Sequence, residues 1–314
     1  MRILIDRYIP FLEGVLDSVA EVEFLPPDAF TPERVRQADA LIVRTRTRCD
    51  ETLLSGSRVQ FIATATIGFD HIDTAYCAEH GIVWTACPGC NAQAVCDYVE
   101  EVLCESEHRL SACHKIGIVG VGHVGSLVAQ MAQQRGMDVV LNDPPKGLYG
   151  DVSDCDVVTF HTPLTYACVG EAYPTYHLCD QTFLKRLPAH TLIVNAARGG
   201  VVDEAALLAS GHPCVIDCWE GEPQLNRMLL SSPNTWLASY HIAGYSLQGK
   251  WNASAMCVQA LCAHFHLPSI ELDPALVSEH KHGDSSPGWL SRVTEQLRRE
   301  PTCFEALRKA YALR

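Results

Sequence analysis

Short apolar runs recur through the first ninety residues, at Arg2 to Ile5, Ala40 to Val43, Phe61 to Ala65 and Ile82 to Thr85, with helical or turn-forming stretches between them. Runs of that length are buried strands, and their alternation with polar segments predicts a small parallel α/β domain. Asn91 then stands where a helix cap belongs. Ala94, Val95, Tyr98, Val99, Val102 and Leu103 follow at helical spacing, while Asp97, Glu100, Glu101 and Glu105 take the other face. That pattern predicts one long amphipathic helix bridging two domains.

From Lys115 the strand rhythm resumes at Lys115 to Val119, Val139 to Asn142, Val157 to Phe160, Thr191 to Asn195, Cys214 to Asp217 and Trp236 to Ser239. Six such strands suit a doubly wound sheet. Two prolines and two glycines break the connection from Asp143 to Asp156, so the crossover there is expected to be trimmed. A helix from about Ser246 to His266 leads back toward the first domain. The polar segment HKHGDSSPG and a final charged helix complete the chain. The expected division is 1–91 with 251–270, then 92–250, then a C-terminal segment over 271–314.

The stretch KIGIVGVGHVGSLVAQMAQQRGMDVVLND carries the first chemistry, because an apolar strand enters a glycine turn, a helix follows, and the next strand ends on an acid. Gly120 permits the tight turn, Gly122 lets backbone N–H groups approach a pyrophosphate, and Gly125 lets the helix pack on the strand. His123 and Val124 open that helix, whose N-terminus favours an anion. Asp143 lies eighteen residues after Gly125, placed to accept ribose hydroxyls and repel a 2′-phosphate. The expected cofactor is NAD.

Composition narrows the partner. The length of 314 residues suits two domains, and a hydrophobic fraction of 47% supplies both cores. Lysine plus arginine number 24 against 37 acids, and the net charge of −13 opposes nucleic acid and anionic membranes. A small metabolite is expected. No run of apolar residues is long enough to span a bilayer and MRILID is no leader, so the expected location is the cytoplasm. Fifteen cysteines fall mostly in apolar stretches, Cys104, Cys214, Cys218, Cys257 and Cys262 among them, which reads as reduced core cysteine. The pair Cys87 and Cys90 in CPGC has redox or zinc spacing, but no second pair completes a tetrahedral set, and no metal is expected.

Three strand ends carry reactive side chains. Arg198 in NAARGGVVDE can hold a carboxylate by two parallel hydrogen bonds. CVIDCWEGEP brings Asp217, Glu220 and Glu222, and ASYHIAGY brings His241, an ordinary proton carrier whose tautomer a neighbouring carboxylate would fix. Ligands bind at such strand ends in open α/β sheets. RTRTRC holds Arg44, Arg46 and Arg48, which on an extended chain would share one side and could meet a phosphate.

The order GVGHVG, HTPL, NAARGGVVDE, DCWEGEP, HIAGY resembles the NAD-dependent D-2-hydroxyacid dehydrogenases over most of the chain. ATATIGFDHID, PGCNAQAV, LNDPP, WEGEPQLN and HIAGYSLQGK resemble a member that acts on a phosphorylated four-carbon 2-hydroxy acid. The resemblance implies a Rossmann NAD-binding domain, a smaller flavodoxin-like substrate or lid domain, and a homodimer, although the dimerisation segment is abbreviated and lacks the length of the family's usual route. It implies Arg198 as binder of the carboxylate and 2-oxo group, Glu222 as the histidine's partner and His241 as acid/base, with Glu220 a bystander. Asp143 would hold the adenosine ribose, Thr162 would line the cofactor cleft, and Asp217 and Gly244 would lie near the nicotinamide. Tyr245, Thr45 and Thr66 would contact substrate, with Arg44 beside them.

Ser239 and Tyr240 precede the histidine where the family has TPH, the loop between Arg198 and Glu222 is short, and position 45 is threonine where serine is common. A dehydrogenase of glycerate or 3-phosphoglycerate is the neighbouring reading. A non-catalytic NAD(H)-sensing protein is the reading from another class.

Overall fold

The computed structural model describes residues 1–110, 114–168, 170, 172–279 and 283–314, with the backbone alone described at 279; His280, Lys281 and His282 of the polar segment lie outside. The chain divides into two compact units, Met1–Asn91 with Ser246–Lys281 and Ala92–Tyr245 with His282–Arg314. The expected C-terminal segment 271–314 is thus shared between them. No helix among the described residues is long and apolar enough to cross a membrane.

The first unit is built on five strands, β1 (Arg2–Asp6), β2 (Glu21–Leu25), β3 (Ala40–Val43), β4 (Phe61–Thr64) and β5 (Val83–Thr85), in the order β2-β1-β3-β4-β5. All neighbours are parallel. That is the flavodoxin-like order. Alternation along the strands separates two cores: Ile3, Ile5, Ala40, Ile42, Phe61 and Ala63 join one, and Leu4, Leu41, Val43 and Ile62 join the other. The helix Leu247–His264 covers the first of these faces with Ala253, Cys257, Val258 and Leu261. Its start is set by Ser246, whose side chain accepts the Gly249 N–H. Burying a side chain such as Phe61 there contributes about 2 kcal/mol.

The second unit holds β6 (Lys115–Val119), β7 (Asp138–Asp143), β8 (Leu148–Tyr149), β9 (Val157–Phe160), β10 (Leu192–Asn195), β11 (Cys214–Ile216) and β12 (Thr235–Ala238). Their order is β12-β11-β10-β9-β6-β7-β8, parallel except for the two-residue β8, which runs antiparallel to β7. This is the doubly wound Rossmann order, with the broken connection after Asp143 reduced to a tight return. The chain leaves β6 for β7 on one side and resumes with β9 on the other, so the topological switch point falls between β6 and β9.

The helix Ala92–Ser106 buries the expected face, Ala94, Val95, Tyr98, Val99, Val102 and Leu103 included. Asn91 does not cap it, since its buried Oδ1 makes no hydrogen bond among the described residues. The charged helix Trp289–Arg299 seals the free edge of β12: Thr294 Oγ1 accepts the Ala238 N–H at 2.8 Å and donates to the Ala238 carbonyl at 3.0 Å. Of the cysteines named above, Cys104 departs from expectation by being exposed, where it accepts a hydrogen bond from Arg135 at 3.5 Å.

Candidate active site

The glycine turn after β6 has two glycines fixed by the protein itself and one that faces open space. Gly120 has φ +89°, and a Cβ there would lie 2.8 Å from the His161 carbonyl carbon at the end of β9. A Cβ at Gly125 would meet the Gly120 carbonyl oxygen at 2.0 Å, whereas one at Gly122 would meet nothing within 4 Å. Gly122 also opens the helix His123–Gln134 without a side-chain cap, beside the exposed His123 and half-buried Val124. Uncapped amides at a helix N-terminus suit a pyrophosphate. Asp143 closes the turn by accepting the Val121 N–H at 2.8 Å, and Thr162 Oγ1 is buried without a partner among the described residues. These residues fit a dinucleotide.

Beyond β10, β11 and β12 the reactive side chains converge. His241 Nδ1 lies 2.9 Å from Glu222 Oε2 and 3.1 Å from Oε1, and Oε1 also accepts the Trp219 N–H at 2.8 Å. The carboxylate thus fixes the ring through Nδ1, and Nε2 makes no hydrogen bond among the described residues. Arg198 spends one donor on its neighbour's carbonyl, Nη1 to Ala197 O at 2.8 Å. Burial pushes the Cys218 thiol well above its ordinary range; Asp217 and Glu222 add to the rise and Arg198 opposes it. The Cys218 thiol lies 3.6 Å from the Ala197 carbonyl that Arg198 Nη1 also meets, so the arginine's loop adjoins the Cys218, Glu222 and His241 group.

Cys218, Glu222 and His241 bring their ligand-type atoms within 4.8 Å of one another. The Cys218 thiol is buried against the Ala197 carbonyl at 3.6 Å, and Glu222 is already held by the Trp219 N–H and His241 Nδ1.

The loops are locked by residues that sequence reasoning passed over. Asn195, buried at the end of β10, donates from Nδ2 to the Arg198 carbonyl at 3.1 Å and the Cys218 carbonyl at 3.0 Å. Gly199 is required for the same approach, because a Cβ would sit 1.9 Å from the Trp219 carbonyl oxygen. Glu204 accepts the Glu220 N–H at 2.7 Å, and burial, with Glu220 and Glu222 nearby, pushes its carboxyl up to about 7. The signal that marks Asn195 is an amide at a strand end inside NAARGG, where burial demands partners for it. Glu204 gave no signal, since its partner is a backbone group sixteen residues away.

Asp217 anchors the histidine's loop. Its carboxylate accepts from Ser239 Oγ at 2.6 Å, the Ile242 N–H at 2.7 Å and the Ala243 N–H at 3.1 Å. Ser239 Oγ also meets the buried Tyr98 hydroxyl at 2.8 Å, which accounts for a hydroxyl residue at that place. Tyr240, where the family has proline, packs edge-on against Tyr311. Gly244 is half-buried in the same loop, and the hydroxyl of Tyr245 accepts from Arg308 Nε at 2.9 Å.

The remaining candidates belong to the first unit. Thr66 Oγ1 donates to the Gly68 carbonyl at 2.8 Å and lies 2.6 Å from Thr64 Oγ1, while Thr45 is exposed. The expected extended display of Arg44, Arg46 and Arg48 is not realised, because Thr47 N–H donates back to the Arg44 carbonyl at 3.1 Å and the segment turns. Arg44 forms a two-point ion pair with the fully buried Asp6, at 2.9 and 3.3 Å, and lies over Tyr8. Arg48 pairs with Asp50 at 2.7 Å, and Arg46 is exposed.

The profile of the D-isomer specific 2-hydroxyacid dehydrogenase catalytic domain matches residues 8–272. A protein of Bacteroides fragilis named erythronate-4-phosphate dehydrogenase is 42% identical over 341 aligned positions, covering 100% of this chain and 97% of its own length. One of the same name from Porphyromonas gingivalis is 39% identical, with 99% and 92% covered. Among solved structures, a D-isomer specific 2-hydroxyacid dehydrogenase of Lactobacillus delbrueckii in its NAD-complexed form superposes with a TM-score of 0.70 at 19% identity, covering 86% of this chain and 99% of that one. An NAD-bound 3-phosphoglycerate dehydrogenase of Entamoeba histolytica gives 0.67 at 22%, with 87% and 98% covered. The chain belongs to the D-isomer specific 2-hydroxyacid dehydrogenase family.

Proposed function

We propose that the protein oxidises 4-phospho-D-erythronate to 3-hydroxy-2-oxo-4-phosphobutanoate with NAD, the dehydrogenation that feeds pyridoxal 5′-phosphate synthesis. The full-length likeness to relatives named for that substrate supports the choice within the family. The observation that carries the chemistry is the His241–Glu222 pair beside the loop of Arg198, at the carboxyl ends of parallel strands.

Gly120, Gly122, His123, Val124 and Gly125 receive the cofactor's pyrophosphate, Asp143 its ribose, and Thr162 lines the cleft. NAD, when bound, supplies the acceptor for the hydrogen that leaves C2 with its electron pair. Arg198 has donors free to hold the substrate carboxylate in two-point fashion and to polarise the oxygen on C2. His241 receives the hydroxyl proton at Nε2, the nitrogen that Glu222 leaves open. Glu222 stabilises the imidazolium so formed and keeps the ring in that orientation. Asp217 contributes by holding the histidine's loop, since its oxygens already have protein donors. In the reverse direction His241 returns the proton.

The protein works as a cytoplasmic enzyme and as a homodimer, the former supported by its many buried thiols and the latter by the tail's likeness to a dimerisation segment. Steady-state NADH formation with 4-phospho-D-erythronate, D-erythronate and 3-phosphoglycerate tests the substrate. A higher kcat/KM for either of the other acids would refute it.

A further inference from the structure

A phosphorylated 2-hydroxy acid brings a carboxylate and a phosphate, the latter alone carrying roughly 1.5 to 2 negative charges near neutrality. Arg198 answers the carboxylate. Of the arginines that the sequence offered for the phosphate, Arg44 is engaged by the buried Asp6 and Arg48 by Asp50, while Arg46 is exposed on the turn of the first unit. A second cation is needed where the reacting groups lie, in a protein whose net charge of −13 repels such a ligand at long range.

The helix Phe304–Ala310 supplies one. Its first turn buries Phe304 and Leu307 in the core of the second unit, which leaves Arg308 half-buried and directed by packing. Arg308 Nε donates to the Tyr245 hydroxyl at 2.9 Å, and the guanidinium lies over that ring at 5.7 Å. Tyr245 ends the loop that carries His241, its N–H donating to the Ile242 carbonyl at 2.9 Å. Burial opposes the charge of Arg308, and Tyr245, Glu222 and Glu305 outweigh it and favour the charged form. The acidic neighbour within reach, Glu305, is at 3.4 Å from Nη1, and Nη2 makes no hydrogen bond among the described residues. A guanidinium with spare donors, anchored on the loop that carries His241, has the chemistry of a phosphate receiver.

We infer that Arg308 is a specificity-determining residue that binds the substrate's 4-phosphate, with Tyr245 orienting it. The inference rests on the proposed function and adds to it the origin of the preference for a phosphorylated acid. Carboxylate and phosphate are then gripped by guanidinium groups from separate elements, Arg198 after β10 and Arg308 in the last helix. The carbon chain between the two grips is thereby held with its C2 hydroxyl toward His241.

The test is the ratio of kcat/KM for 4-phospho-D-erythronate to that for D-erythronate, measured on the wild type, Arg308→Met and Arg308→Lys. Thermal unfolding and NADH fluorescence titration serve as controls on the fold. Loss of a charge-assisted contact predicts that the ratio falls about 10- to 100-fold in Arg308→Met and less in Arg308→Lys, which retains the charge without the fork. Equal losses on both substrates in the folded variants, or an unchanged ratio, would overturn the inference and leave the proposed function standing. A wild-type ratio near unity would instead overturn the proposed function, and this inference with it.

Discussion

His241 occupies the left-handed region, φ +59°, a conformation costing a non-glycine residue of order 1–3 kcal/mol. The cost is offset by the hold on its loop: the His241 N–H donates to the Asp217 carbonyl at 3.0 Å, and the next two N–H groups donate to the Asp217 carboxylate. The histidine is therefore aimed by backbone as well as by Glu222. Replacing it with alanine should lower kcat by about 10²- to 10⁴-fold, the range for loss of a general acid/base. The dissociation constant for NADH, read by fluorescence, should stay within about twofold, because the pyrophosphate turn is untouched. A larger change in NADH binding would place the histidine in the cofactor site.

Glu204 allows a stability experiment at the same scale. Its folded carboxyl titrates at about 7 against an ordinary value of 4.5, so the folded state holds this proton more tightly than the unfolded chain. Stability from this group is greatest below the ordinary value and declines as pH rises toward 7, a loss of up to about 3 kcal/mol. Glu204→Gln should accordingly raise Tm more at about pH 8 than at about pH 5, since the amide removes the buried charge. The reverse pH trend in calorimetry would show that the carboxylate is stabilised where it lies.

At the scale of elements, the parts that announce themselves in sequence are those whose partners are near in the chain or set by periodicity. β3, β6 and β9 run over the expected residues because their apolar runs are buried on both faces. β2 leaves little trace in the sequence because it is an edge strand, EVEFL, with Glu21 and Glu23 interrupting the apolar pattern. Alternation misplaces the three arginines because it applies only to an extended chain, and the ion pair that holds Arg44 involves Asp6, 38 residues away. The meeting of loops at the site is the least legible feature, depending as it does on Gly199. Gly199→Ala should lower Tm by roughly 2–8 °C, given overpacking costs of about 1–3 kcal/mol, and kcat/KM by about 100-fold, because the loops bearing Arg198 and Glu222 must part. Gly122→Ala, whose Cβ meets nothing, should fold as the wild type and raise KM for NAD. If both variants behave alike in unfolding and kinetics, the close approach at Gly199 is not what sets the site.

For the whole molecule the last residues matter beyond Arg308. Phe304 is fully buried and Leu307 nearly so, both in the single large core that also holds the strands of the second sheet, while neither belongs to the two cores of the first unit. Tyr311 adds edge contacts to Tyr240, and Arg314 donates from Nη2 to the Ala243 carbonyl at 2.7 Å and lies over Trp289. Removing residues 303–314 strips these contacts from the loop on either side of His241 and opens the core at two large side chains. The expected cost is about 4–8 kcal/mol, from large-to-small losses at both sites. Because the cores are separate, hydrogen exchange should quicken in β6 to β12 of the truncated chain while β1 to β5 keep their protection. Uniform loss of protection across both sheets would mean that the two units unfold as one cooperative body, with the tail stabilising the whole and not the nucleotide-binding half alone.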